Sequence, residues 1–264
     1  MTLKLTILGC GSSGGVPRPA YGWGACDPNN PKNRRRRCSI MLERSKDLAK
    51  TVVIIDTSPD LREQLLSVDA KRIDAVLFTH DHADHTHGLD DVRPVVLHMR
   101  QRIPTYMDAV TSRVLHQRFG YCYETPPGSD YQPIVEDRRL ISGHRVEIDG
   151  PGGSIAATPF RVHHGMIDAL GFRIGSTAYS PDVNDIPDES IAALTGLDLW
   201  IVDALRPTAH PSHFSLPETL AWIERLKPKQ AILTNLHTDL DYAALSAQLP
   251  KNVTPAYDGL EVII

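Results

Sequence analysis

The chain has 264 residues, long enough for one large domain or two modest ones around a substantial core. Its 28 Lys and Arg against 32 Asp and Glu leave a formal charge of -4, without the basic excess that nonspecific nucleic-acid binding needs. No apolar run approaches the roughly 18–20 residues of a membrane span, and "MTLKLTILGCGSSGG" turns to glycine and serine too early for a secretory signal, so a cytoplasmic location is expected.

In chain order, "LKLTILGCG", "CSIMLE", "TVVIIDTS" and "DAVLFTH" read as strands bounded by polar turns. Between the last two, "SPDLREQLLSVDA" places Leu61, Leu65, Leu66 and Val68 at near-helical spacing behind a serine cap and an early proline. "PTYMDAVTSRVLHQRF" is expected to be helical, "TPPGSDYQP" a loop, and "RVEID" the end of a hairpin. From residue 155 strands return as "SIAATPFRVHH", "GFRIG", "TAYSPD", "LDLWIVDAL" and "QAILTNLH", with helices at "DESIAALTG" and "LPETLAWIERL". There is no long linker and no sequence repeat, so residues 1–264 are read as a single α+β domain with sheets covered by helices. The four cysteines, Cys10, Cys26, Cys38 and Cys122, form no CxxC pair and read as reduced thiols.

The chemistry concentrates in "THDHADHTHG", residues 79–88, which holds four histidines and two aspartates. His80, His82, Asp84 and His85 are the candidate metal donors; neither a helix nor a strand puts all of them on one face, whereas a loop leaving a buried strand can aim them at two nearby points. Imidazole and carboxylate together suit Zn, Mn or Fe, and these donors exceed the three protein ligands of a usual single catalytic zinc. Two ions sharing one carboxylate from elsewhere are therefore expected. A solvated histidine tract would sit in polar linker, but this one directly follows "IDAVLFT". Asp81 and His87 fall outside the spacing and read as surface groups or as support for the ligands.

"HDHADH" has the form HxHxDH and resembles the signature of the metallo-β-lactamase superfamily of metal-dependent hydrolases, as does the upstream "VIIDTSPD". "LTILGCGSSGGVPRP" and "GLDDVRP" make the chain similar to cyclic-phosphate phosphodiesterases of the phosphonate-utilisation type and, more distantly, to transfer-RNA 3′-processing nucleases. The resemblance implies a four-layer αββα sandwich with two divalent ions (Zn or Mn) at one edge between the sheets. It implies His80 and His82 on the first metal, Asp84 and His85 on the second, His164 as a further histidine ligand, Asp182 as the bridging carboxylate and His237 as the last ligand. His163 competes with His164, but strand alternation turns it the other way. Asp56 is placed behind the ligands to orient a histidine, with Asp203 a weaker candidate for the same task.

The metal motif alone leaves esters, thioesters, lactones and phosphodiesters open. By the same resemblance His213, in "HPSHF", reaches the site as hydrogen-bond donor and general acid, with Asp84 as catalytic carboxylate. The leading expectation is a phosphodiesterase for a small cyclic or nucleotide-like phosphodiester. The alternatives are a lactonase or thioesterase on the same fold, and a non-catalytic metal-binding accessory protein. Arg93 and the run Arg34 to Arg37 are further phosphate-contact candidates, the run being read chiefly as a solvated or strand-edge face. The loop "GWGACDPNNPKNRRRRCS" lacks the cysteine cluster that holds a structural zinc in those relatives, so none is expected. Pairing of two copies, as in some relatives, is left open.

Overall fold

A computed structural model describes residues 2–264. The strands are β1 (Thr2–Gly9), β2 (Ser39–Lys46), β3 (Ala49–Ile55), β4 (Ala75–Leu77), β5 (Ile103–Met107), β6 (Val135–Arg139), β7 (Val146–Ile148), β8 (Ile155–His164), β9 (Ile167–Ile174), β10 (Thr177–Ser180), β11 (Leu199–Asp203), β12 (Gln230–Thr234), β13 (Val253–Pro255) and β14 (Glu261–Ile263). The α-helices are α1 (Leu61–Ser67), α2 (Ala83–Thr86), α3 (Arg93–Met99), α4 (Ala109–Tyr123), α5 (Asp188–Ile191), α6 (Leu216–Leu226) and α7 (Tyr242–Gln248). One sheet runs β14-β1-β2-β3-β4-β5-β6 and the other β13-β12-β11-β10-β9-β8-β7. Each is antiparallel over part of its width and parallel over the rest, β3 to β6 in one and β10 to β13 in the other.

The layering follows from strands that are apolar on both faces. In β3, Val53 and Ile55 point into the core between the sheets, while Val52 and Ile54 point the other way, toward Leu61 of α1, Val95 of α3 and Leu115 of α4. β11 repeats the pattern: Leu199 and Ile201 face the inter-sheet core, and Trp200 and Val202 face Ile223 of α6 and Leu245 of α7. Two sheets packed face to face with helices outside both make the αββα sandwich.

Within residues 104–119 the structure divides what the sequence reading made one helix. Pro104–Met107 belongs to β5, where Ile103, Thr105 and Met107 are buried alternately, and Asp108 then caps α4 by accepting from Thr111 N at 2.8 Å. The period-two burial outweighs the helical spacing that follows it. At α1, Asp60 occupies the cap position, and Ser58 instead donates to Gln64 Oε1 at 2.9 Å. β6, β13 and β14 were not anticipated; they are short edge strands, where half-solvated positions carry no apolar run. Among the described residues no helix is long and apolar enough to cross a membrane.

Ile201 is fully buried in the inter-sheet core, so Ile201→Ala should destabilise the protein by about 2–5 kcal/mol, whereas Leu48→Ala in the fully exposed β2–β3 turn should leave stability within about 0.5 kcal/mol. Urea unfolding followed by circular dichroism measures both.

Candidate metal centre

The parallel strands end at a common edge, and their ends supply the site. β3 is followed by Asp56, β4 by Thr79 and His80, β8 ends at His164, β10 is followed by Asp182, β11 ends at Asp203, and β12 is followed by Asn235. After β4 the chain runs extended to His82 and then forms the single helical turn α2, fixed by Thr86 Oγ1 donating to His82 O at 2.8 Å. The motif is thus part loop and part helical turn. That mixture resolves the spacing problem: His80 and His82 enter one donor group, and Asp84 and His85 an adjacent one.

Two donor groups result, one of His80, His82, His164 and Asp182, the other of Asp84, His85 and Asp182, each with its ligand atoms within 4.8 Å of one another. Asp182 belongs to both: its Oδ2 lies 3.6 Å from His164 Nε2 and 3.9 Å from His80 Nε2, and its Oδ1 lies 3.2 Å from His85 Nε2. His85 Nε2 is also 3.5 Å from Asp84 Oδ2. Burial by itself would raise the Asp182 carboxyl, but His85, His213 and His80 around it outweigh that and hold it well below the usual carboxylate range. His80 Nε2 is buried with no hydrogen-bond partner, and burial, then neighbouring His85, keeps its ring neutral. An orphaned imidazole lone pair facing an ionised carboxylate is the donor set a divalent cation requires.

Behind the donors stands a set of fixed groups. Asp56 accepts from His85 Nδ1 at 2.7 Å, from Thr79 N at 2.8 Å and from Thr79 Oγ1 at 2.8 Å. Thr79 Oγ1 also lies 3.0 Å from His80 Nδ1. His164 Nδ1 donates to Ser212 O at 2.6 Å. With their Nδ1 atoms engaged, His80, His85 and His164 all present Nε2 to the cluster. His163 turns outward to Asp168, 2.8 Å away, as alternation along β8 demands.

His213 borders the cluster, its ring centroid 4.6 Å from that of His164. Its Nδ1 donates to Asp203 Oδ2 at 2.7 Å, and Asp203 also accepts from Val183 N. Burial disfavours the imidazolium, but Asp203 and then Asp182 outweigh it and lift His213 to about 9. Asp203 thus engages Nδ1 and not Nε2.

His237 is not brought into either donor group. Its Nε2 accepts from Arg18, and its Nδ1 donates to Asp239 Oδ2 at 3.0 Å. Both ring nitrogens hydrogen-bond to groups outside the two donor clusters. The strand-end residue that does reach the cluster is Asn235, whose Nδ2 donates to Asp182 Oδ1 at 3.4 Å and lies 3.1 Å from His213 Nδ1. Asn235 has φ 60°, a left-handed turn that asparagine tolerates better than most residues. "TNLH" offered two polar residues at period two, and only the backbone turn decides between them. The arginine run is likewise structural: Arg35 is buried and donates to His237 O and Leu240 O, Arg36 pairs with Asp258 and Arg37 with Asp60. Arg93 pairs with Asp90 and lies over Tyr131. Arg118 donates to Asp81 O, and the His87 ring packs against Phe119.

A family model described as the beta-lactamase superfamily domain matches residues 51–235, a span holding both donor groups. The chain belongs to the metallo-β-lactamase superfamily and is a hydrolase of that fold with a His/Asp metal-binding cluster. Within the superfamily it is similar over its full length to a diphosphatase of the PhnP family, at 37% identity and TM-score 0.89, covering 100% of this chain and 98% of the other. The fold is shared with zinc-bound PqqB of Methylobacterium extorquens (17% identity, TM-score 0.74, 98% and 99% covered) and with the short form of human tRNase Z (17%, 0.63, 98% and 98%). An octanoyltransferase of Porphyromonas gingivalis is 30% identical over 267 residues, 99% of this chain and 52% of that protein. The chain spans about half the length of that curated relative.

Metal content separates the donors from their neighbours. After dialysis against a weak chelator, Asp182→Asn and His80→Ala should each retain less than half the zinc or manganese of the wild type. His237→Ala should retain all of it. Inductively coupled plasma mass spectrometry reads the stoichiometry.

Proposed function

We propose that the protein is a phosphodiesterase that binds two divalent cations, zinc or manganese, and acts on a small cyclic or nucleotide-like phosphoric diester. His80, His82, His164 and Asp182 would hold one ion and Asp84, His85 and Asp182 the other. When bound, the pair supplies Lewis-acid neutralisation of the phosphoryl charge and lowers the pKa of water enough for attack at neutral pH. The chain's own residues account for the rest.

Asp84 is the least covered of the carboxylates around the cluster, its side chain 17% exposed, which places it to orient the attacking water and accept its proton. His213, with Nδ1 fixed on Asp203, gives its Nε2 proton to the departing alkoxide. The new P–O bond comes from water, the bond to the leaving group breaks, and the proton on Asp84 returns to His213 through solvent, so one water is consumed. Asp182, His164 and the strand-end backbone keep bulk water from the buried side.

The observation that carries this reading is the buried Asp203–His213 pair, 2.7 Å long, standing against the metal donors. A thioester hydrolase needs the donors but expels a weakly basic thiolate and has no need of a general acid held in that way. Likeness to a diphosphatase over the whole chain supports the same phosphoryl chemistry.

Metal-loaded wild type should hydrolyse bis(4-nitrophenyl) phosphate, with activity abolished by EDTA and by Asp84→Ala. On a diester with an alkoxide leaving group, such as a 2′,3′-cyclic nucleotide, His213→Ala should lower kcat by at least about tenfold, the low side of a general-acid contribution. Turnover of thioester or lactone substrates, together with indifference of kcat to His213→Ala, would overturn the proposal in favour of acyl chemistry.

A further inference from the structure

At the end of the sandwich away from the metal donors, the two sheets border a cavity of about 470 Å³. Three arginines line it, Arg44 of β2 from one sheet, and Arg145, just before β7, and Arg173 of β9 from the other. No Asp or Glu side chain does. Thr158 lies on the same wall, six residues before His164 on β8, which at about 3.3 Å per residue puts the cavity roughly 20 Å from the donors. It is a separate place on the molecule, not an extension of the metal centre.

Strand register brings the three arginines together. Val146 pairs with Ala157, so Arg145 stands next to Thr158, and Thr158 pairs with Arg173. Neighbouring strands lie about 4.8 Å apart, so the backbones of Arg145 and Arg173 flank Thr158 at a separation of about 10 Å, which two long side chains can close around one anion. Arg44 reaches the same wall from the facing sheet: a β-carbon on Gly153, in the turn between β7 and β8, would stand 3.3 Å from its Cδ. Little neutralises these cations. Arg44 Nε is buried with no hydrogen-bond partner. Among the described residues, no carboxylate lies within 4.0 Å of Arg44 or Arg173. Arg173 is fixed by carbonyls, with Nε donating to Gly175 O at 2.9 Å and Nη1 to Ala193 O at 2.9 Å and Thr195 O at 3.0 Å. Arg145 meets the exposed Glu147 at 3.7 Å, a pair that water screens. A buried guanidinium N–H without a partner, beside two further cations, is costly unless an oxyanion meets it.

We infer that this cavity is a second binding site, remote from the metals, that takes a phosphoryl dianion between Arg44 of one sheet and Arg145 and Arg173 of the other. Guanidinium suits the task because its planar fork binds phosphate oxygens in pairs. The Thr158 hydroxyl, on the wall between Arg145 and Arg173, supplies a neutral donor. An anion held from both sheets ties them together at the end that has no metal donors, so its binding stabilises the folded chain by mass action. The inference does not depend on the reaction that the metal centre carries out.

The test counts phosphate on metal-loaded protein by equilibrium dialysis of radiolabelled inorganic phosphate in chloride buffer. At the same free concentration, wild type should bind one phosphate per chain more than Arg44→Ala, whose metal content should match wild type. Arg145→Ala should weaken the same phosphate by at least about tenfold, the effect of a lost charge-assisted hydrogen bond. Arg44→Lys, which keeps the charge without the fork, should fall between wild type and Arg44→Ala. Thermal melts in chloride with midpoints matching wild type establish that the variants are folded, and added phosphate should raise the wild-type midpoint more than that of Arg44→Ala. AMP that abolishes the difference between wild type and Arg44→Ala identifies phosphate monoesters as ligands, whereas displacement by unlabelled phosphate alone identifies the free ion. Equal phosphate stoichiometry in wild type and Arg44→Ala, or a difference that Arg145→Ala leaves untouched, overturns the site.

Discussion

The ionised carboxylate of Asp182, buried at the junction of the two sheets, is the charge around which the site is built. A carboxylate removed from water costs several kcal/mol unless cations or hydrogen-bond donors surround it. Here His80 and His85 from the segment after β4, His164 at the end of β8 and Asn235 after β12 converge on it. Those side chains in turn need their own orientation, which Asp56, Thr79 and Ser212 supply. The requirement to satisfy one buried charge therefore reaches back into both sheets.

Backbone conformation at the strand ends is as specific as the side chains. Asp56 and Asn235 both take left-handed φ values, 66° and 60°, directly after β3 and β12. A non-glycine residue held there costs of order 1–2 kcal/mol. In exchange the chain turns sharply at the sheet edge, so that Asp56 reaches His85 from behind and Asn235 reaches Asp182 from the side. A gentler exit would carry both groups past the cluster.

Arginine usage divides by what holds each side chain. The conspicuous run Arg34 to Arg37 is largely consumed by tying the N-terminal loop to Asp258, Asp60 and the carbonyls after β12. Arg18 and Arg206, inconspicuous in the sequence, are instead held by neutral partners, the ring of His237 and the carbonyls of Thr208 and Ala209. The loops that carry them are remote in sequence and are joined by His237 and Leu205, whose backbone atoms hydrogen-bond at 2.9 Å.

The sequence by itself determined the superfamily, the αββα layering and most of the residues that gather into the two His/Asp groups, because these depend on local signals: "HDHADH" behind an apolar strand, and strands apolar on both faces. His164 over His163 was also legible, since alternation along one strand decides it. The strand Pro104–Met107 was not, because its burial is granted by its neighbours β4 and β6 and is absent from its own spacing. Nor was the choice between Asn235 and His237. Histidine is the better metal donor in isolation, but only the folded chain sets a left-handed turn at residue 235 and brings Arg18, some 200 residues earlier, against the ring of His237. A residue's chemistry can be read locally, whereas the partner that its side chain meets is a property of the tertiary structure.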